Sequence, residues 1–240
     1  MHIFSPITNK NRLLNNLPTS ELTQLLEVCE RVTLHAHQTL HTPNSKIDYV
    51  YFPINSVIAL SLTTDQKSIE TGLIGNDGML GITLFLGVDV APCTAFVQIE
   101  GEAYRMPATQ FLELVDKSNI FRTILSRYIL VLMNRLALAV GCHHFHPTEM
   151  RLAYLILVIH DNTHSKHMNI TQALFSNLLG VRRVSISEVA SQLQQKMAIK
   201  YSRGKITILD IPLLVAEACS CYNAYHRYYH HINDLTAQIE

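Results

Sequence analysis

TQALFSNLLGVRRVSISEVASQL, residues 171–193, is the stretch whose reading decides the fold. Thr171 is a helix-capping residue, and the apolar positions after it predict a first helix over 172–179. Gly180 supplies the left-handed residue of a tight turn. A second helix then runs from Arg182 or Arg183 to Gln195. Two helices joined by so short a turn need a small residue where they touch, a glycine at the turn and apolar side chains that lock the angle. Ser176, Gly180 and the set Phe175, Leu179, Val181, Ile186 and Val189 meet these needs. The outer face of the second helix is left with Arg183, Ser185, Ser187 and Glu188. Side chains of these types pair with base edges in a major groove. The pattern predicts a helix-turn-helix.

Downstream, IKYSRGKITIL (199–209) reads as two short strands around Ser202-Arg203-Gly204-Lys205. This is a hairpin with a basic tip, a wing whose Arg203 and Lys205 would touch a phosphate backbone. From Lys166 to Lys205 there are seven basic residues and one acid, Glu188, a net +6. The whole chain has 19 Lys plus Arg and 19 Asp plus Glu, so only this local surplus can attract a polyanion.

Upstream, 161–167 reads as a polar loop after an apolar helix over 148–160. From Asn119 to Val140 there is neither Pro nor Gly. Leu125, Ile129, Leu132, Leu136 and Ala139 recur there as a heptad-like seam for a dimerisation helix. A second stripe, Ile124, Tyr128, Val131 and Leu138, lies beside it. A helix with two stripes needs two partners, which a β unit and a second copy of the helix would supply. Gly141 is expected to end the helix and Pro147 to open the next, making 141–147 a hinge. Further back, 46–62 reads as strands interrupted at Pro53-Ile54-Asn55. Six of the nine glycines fall between 72 and 101, and 94–105 reads as two strands around a Glu100-Gly101 turn. Residues 30–107 therefore predict an antiparallel β unit, preceded by a short helix beginning near Pro18.

The chain has 240 residues, 48% hydrophobic and 16% charged, enough for a sizeable core. Five scattered cysteines (29, 93, 142, 219 and 221) suit a reducing compartment. The N-terminus has no signal-like apolar core, and the longest apolar run, 129–140, is broken by Asn134 and Arg135. The expectation is a cytoplasmic protein with no membrane partner. No Ser-His-Asp order, phosphate-cradling loop or HExxH is present, so no enzyme is expected.

The order of β unit, glycine-rich loop, long helix, hinge and winged helix-turn-helix resembles the Crp/Fnr family of bacterial transcription regulators. IGNDGMLGITLFLG (74–87), HPTEMRLAYLIL (146–157) and LLGVRRVSISEVASQLQQKMAIKYSRGKITILD (178–210) carry the resemblance, which spans almost the whole chain. It implies an α+β fold. Residues 1–118 would form a cyclic-nucleotide-binding-like antiparallel β-roll (jelly-roll) sensor, 119–146 the dimerisation helix and hinge, and 147–240 the winged helix-turn-helix domain. It further implies a homodimer on double-stranded DNA with a near-palindromic operator, RNA polymerase as a further partner, and an unknown small-molecule effector. Arg183 would contact bases with Ser185 and Glu188 beside it, while Arg182 and Thr171 would sit near phosphate.

The sensor departs from the family's cyclic AMP cassette, whose anion needs an arginine partner. Gly75 is followed by Asn76 and Asp77, and no Lys or Arg stands between Lys67 and Arg105. Cyclic AMP is therefore not expected. Gly75, Asn76, Asp77, Gly78, Met79, Cys93 and Thr94 are the candidate lining of a pocket for another effector. No cofactor is called for, although His35, His37 and His41 leave haem open. An iron–sulfur centre lacks its N-terminal cysteines. Cys142-His143-His144-Phe145-His146 and the later Cys219 and Cys221 read as packing and helix surface, with redox or metal roles left open and no metal site assigned. The competing reading is a ligand-, redox- or metal-sensing protein whose winged helix makes protein contacts only.

Overall fold

The computed structural model describes residues 11–65 and 67–234. Helix α1 (Thr19–Glu27) leads into seven strands: β1 (Glu30–Leu34), β2 (Thr39–His41), β3 (Tyr49–Pro53), β4 (Val57–Thr64), β5 (Lys67–Ile74), β6 (Thr94–Ile99) and β7 (Gly101–Pro107). They form two antiparallel sheets, ordered β1-β7-β3 and β2-β6-β4-β5. Leu34, Ile58, Val97 and Ala103 meet between the sheets. The strands on either side of Glu100 do not pair with each other: the chain changes sheets there, and Gly101 makes the corner. A Cβ on Gly101 would lie 2.8 Å from the backbone nitrogen of Ser56, closer than any side chain tolerates.

Helix α2 (Ala108–Lys117) closes the roll, and Ser118 caps α3 (Asn119–Phe145) by accepting from the Phe121 N–H at 2.9 Å. Three expectations need correction here. First, α3 does not stop at Gly141. It continues to Phe145, because one helical glycine costs only about 1 kcal/mol and Cys142 beyond it is buried. The break comes at His146, where Pro147 follows.

Second, the seam is rotated. Leu125 is wholly buried in the roll core, and Ile129, Leu132 and Ala139 are half-buried. The stripe that faces outward is Leu130, Met133, Leu136 and Val140, at 46, 61, 59 and 66% exposure. The second stripe has a partner that the sequence did not suggest. Val131 and Leu138 pack on Tyr225, Tyr229 and Ile232 of the last helix. Third, at 27 residues α3 is long and apolar enough to cross a membrane by length and composition, although the apolar run 129–140 reads as too short. Here Phe121, Leu125 and Tyr128 hold it to the roll.

The C-terminal part consists of α4 (Thr148–Thr163), β8 (His167–Asn169), α5 (Gln172–Leu179), α6 (Arg183–Gln195), β9 (Ile199–Ser202), β10 (Lys205–Ile208), α7 (Ile211–Glu217) and α8 (Cys221–Asp234). Its small sheet has the order β8-β10-β9. Helix α4 runs three residues past the expected 160, so Asp161 and Asn162 are helical rather than in a loop. The fold is the α+β architecture expected: a roll, a long helix and a winged helix-turn-helix.

Candidate nucleic-acid interface and sensor core

The helix-turn-helix forms as its residues dictate. Thr171 Oγ1 accepts from the Leu174 N–H at 3.3 Å, and Gly180 sits at φ +63°. Ser176 Oγ donates to the Val181 carbonyl at 2.5 Å, so the small inner residue also ties down the turn. Arg151, buried in α4, donates to the Leu179 carbonyl at 2.5 Å. Ile186, Ala190 and Leu193 turn α6 into the core. Arg182, Arg183, Ser187 and Glu188 are thereby exposed, and Ser185 is half-buried. Val184, unremarked in the sequence, stands beside Arg183 at 68% exposure. A branched apolar side chain there suits a thymine methyl. The same helical period that exposed its neighbours could have exposed it.

The wing turns through Arg203 at φ +50° and Gly204 at φ +76°, two positive-φ residues as a two-residue type I′ hairpin requires. Thr171, Arg183, Tyr201 and Arg203 line one open cleft of about 570 Å³ between the start of α5, the start of α6 and the wing. Lys200 and Lys205 are exposed on the wing strands. Lys196 is committed elsewhere: its Nζ lies 2.8 Å from Glu149 and 2.6 Å from Glu217. The +6 of the segment therefore overstates the charge it presents, because both acids lie outside it.

The structure gives the glycine-rich loop a different task from the pocket expected of it. A Cβ on Gly75 would strike the Asn162 side chain at 2.1 Å, and one on Gly78 would strike the Tyr128 hydroxyl at 2.2 Å. Asn76 is fully buried; its side chain accepts from Arg12 Nε at 3.1 Å, donates to the Asp161 carbonyl at 3.3 Å and meets His164 Nε2 at 2.7 Å. The Met79 N–H donates to the Tyr128 hydroxyl at 3.1 Å. Asp77 is buried against Arg135, 3.5 Å away, and accepts from the Tyr225 hydroxyl. Burial pushes the Asp77 carboxyl up, but Arg135, Arg12 and Tyr225 outweigh it and hold it below the ordinary carboxylate range. The loop is thus an interlock among the roll, α3, α4 and α8. The cations absent from its own sequence come from Arg12 and Arg135.

Cys93 and Thr94 lie elsewhere. Ile74, just before the loop, pairs with Ile58 on β4, whereas Thr94 pairs with Ser61 further along the strand. Burial raises the Cys93 thiol. His35, His37 and His41 serve separate contacts: His35 meets Glu100 at 3.4 Å, His37 holds a positive-φ turn, and His41 is buried edge-on to Tyr51. Asp161 forms a second hub, with His160 at 3.2 Å, the Tyr222 hydroxyl at 2.9 Å and His226 at 3.0 Å. Burial opposes its charge, yet these three partners lower its carboxyl.

Two further features were not visible in the sequence. An apolar cleft of about 260 Å³ separates β5 from α3 and α4, lined among others by Leu73, Leu132, Arg135, Leu136, Cys142 and Tyr154. Beside it, the sulfurs of Cys142, Cys219 and Cys221 converge. In the sequence, 142–146 and 219–221 read as unrelated sets. His143 instead bonds back to the Ala139 carbonyl, and His144 is exposed.

Residues 31–118 match the cyclic nucleotide-binding domain family, and residues 150–217 match the Crp-like helix-turn-helix domain family. Among solved structures, FixK2 from Bradyrhizobium japonicum superposes with a TM-score of 0.68 at 11% identity, covering 80% of this chain and 98% of its own. TTHB099, a CRP-family transcriptional regulator from Thermus thermophilus, gives 0.64 at 14% identity, covering 78% and 96%. The c-di-GMP-responsive global regulator CLP of Xanthomonas campestris gives 0.61 at 11% identity, covering 80% and 100%. A search of curated protein sequences returned no match.

Proposed function

Because the chain belongs to the Crp/Fnr family of transcriptional regulators, we propose that it acts as a cytoplasmic, homodimeric, sequence-specific DNA-binding regulator. The observation that carries this reading is the single concave surface on which Thr171, Arg183 and Arg203 meet. A capping hydroxyl and the wing guanidinium of Arg203 on this cleft suit a phosphate backbone, and the Arg183 guanidinium on the same cleft suits a base edge in the groove. The exposed stripe Leu130, Met133, Leu136 and Val140 would seat a second copy of the same helix. The two recognition helices would then read half-sites about 34 Å apart. RNA polymerase is the further partner this role implies, and catalysis has no part in it.

The effector in this reading is not cyclic AMP, because Asn162 and Tyr128 fill the space beside Gly75 and Gly78. Cyclic di-GMP, to which CLP responds, and haem belong in the same screen. Thermal shift with each ligand is the measurement; a ligand at a hundredfold excess over Kd stabilises by about 2.7 kcal/mol. A shift with cyclic AMP would overturn this part of the reading.

Selection of bound duplexes from a random pool, followed by titration at several salt concentrations, tests the main claim. Enrichment of a near-palindrome bound by two chains is the expected result. No affinity for any duplex at low salt would leave the winged helix as a protein-contact module on a ligand-, redox- or metal-sensing protein.

A further inference from the structure

Cys142 stands near the end of α3, while Cys219 and Cys221 lie where α7 gives way to α8. Their three sulfurs lie within 4.8 Å of one another, with Cys142 and Cys219 at 3.5 Å. All three residues are buried, and Met150 and Tyr154 pack around them. A buried cysteine is often just a small hydrophobe, but that does not require three sulfurs from two distant segments to aim at one point. A disulfide would use two and leave the third idle. An iron–sulfur cluster takes four ligands, and these three sulfurs leave room between them for one ion only. Sulfur donors select Cu(I) and zinc. At a zinc–sulfur distance of about 2.3 Å, three sulfurs around a central ion lie roughly 4 Å apart, close to the spacing already present.

We propose that Cys142, Cys219 and Cys221 bind one thiophilic metal ion, Cu(I) or Zn(II), through their three sulfurs. Each thiol that becomes a thiolate gives its proton to solvent, and no electrons are transferred. Cys142 also lines the apolar cleft beside β5, which gives the ion a way in. The ion would tie the end of α3 to the α7–α8 junction across the break at His146-Pro147. The assignment does not depend on what the winged helix binds.

The test uses the full chain, reduced and stripped with chelator, titrated anaerobically with buffered Cu(I) and, separately, with Zn(II). One ion per chain of either metal is expected; a thiolate-to-copper absorption band marks the copper case. X-ray absorption on the loaded protein should show three sulfur neighbours. Changes outside the ligand shell already cost roughly 10–100-fold in metal affinity. Cys142→Ser and Cys219→Ser should therefore weaken binding by more than about 100-fold, while the double variant C29S/C93S keeps it. Circular dichroism reports whether each variant is folded, and the absorption measurement on the unaltered chain decides the matter if the serine variants are not. Failure to take up either ion, a shell of nitrogen and oxygen only, or undiminished binding in folded Cys142→Ser overturns the proposal.

Discussion

The hydroxyl of Tyr225 in α8 donates a hydrogen bond to the carboxylate of Asp77 in the glycine-rich loop, 148 residues earlier in the chain. Arg135 of α3 approaches the same oxygen at 3.5 Å. Asp77→Asn leaves that arginine without its charge partner, and breaking a buried pair in this way costs about 3–5 kcal/mol. Denaturant unfolding at pH 7 should show this loss. Tyr225→Phe should cost about 1.5–3 kcal/mol, the range for a hydrogen bond to a charged group. The carboxyl of Asp77 lies lower in the folded than in the unfolded chain. Its stabilisation is therefore complete above the unfolded value, about 3.9, and is lost as the pH falls through the folded value. Asp77→Asn should flatten the acid limb of the stability profile; an unchanged limb would assign acid lability to other groups, Asp161 first.

Arg183→Ala should lose about 1–3 kcal/mol at one base position and relax specificity there. Binding to sequences that differ at that position measures it. A uniform loss on every sequence would make Arg183 a phosphate contact.

Lys205 and Lys196 separate charge that reaches DNA from charge that does not. Lys205→Ala should make the salt slope shallower by about one unit. Lys196→Ala should leave the slope unchanged, since Glu149 and Glu217 already hold that ammonium group. Equal slopes for the two variants would show that the ion pairs open on binding.

Met133→Asp places a charge in the exposed stripe of α3 and should turn a dimer into monomers in sedimentation equilibrium. Leu125→Ala, one face round and fully buried, should instead lower stability by about 2–5 kcal/mol with the association state intact. The reverse pattern would restore the seam read from the sequence.

The winged helix is legible residue by residue because its signals are local. The capping Thr171, the left-handed Gly180 and the period of Phe175, Leu179 and Ile186 act within a few positions of one another. Val184 escapes, because an apolar residue suggests no surface task. The strands of the roll are legible for the same reason, but the change of sheet at Glu100 depends on what lies opposite. Long-range pairings defeat the reading elsewhere. The seam falls on the wrong face because nothing near α3 in sequence announces that the roll buries Leu125 or that Tyr225 and Tyr229 cover Val131. Residues 75–79 look like an empty, acidic loop because Arg12 comes from the chain's start and Tyr128 and Arg135 from α3. Cys142 reads with its neighbouring histidines, whereas its sulfur partner Cys219 comes 77 residues later.

The continuity of α3 through Gly141 has a mechanical meaning. At 1.5 Å per residue, its 27 residues make a rod about 40 Å long. One end is anchored in the roll at Phe121, and the other reaches the door of the winged helix at His146. A tilt of about five degrees at the anchored end would sweep the far end through roughly 3.5 Å, comparable to the rise between neighbouring base pairs. A rod that broke at Gly141 would spend such a tilt in its own joint. An unbroken rod would carry it whole to the winged helix.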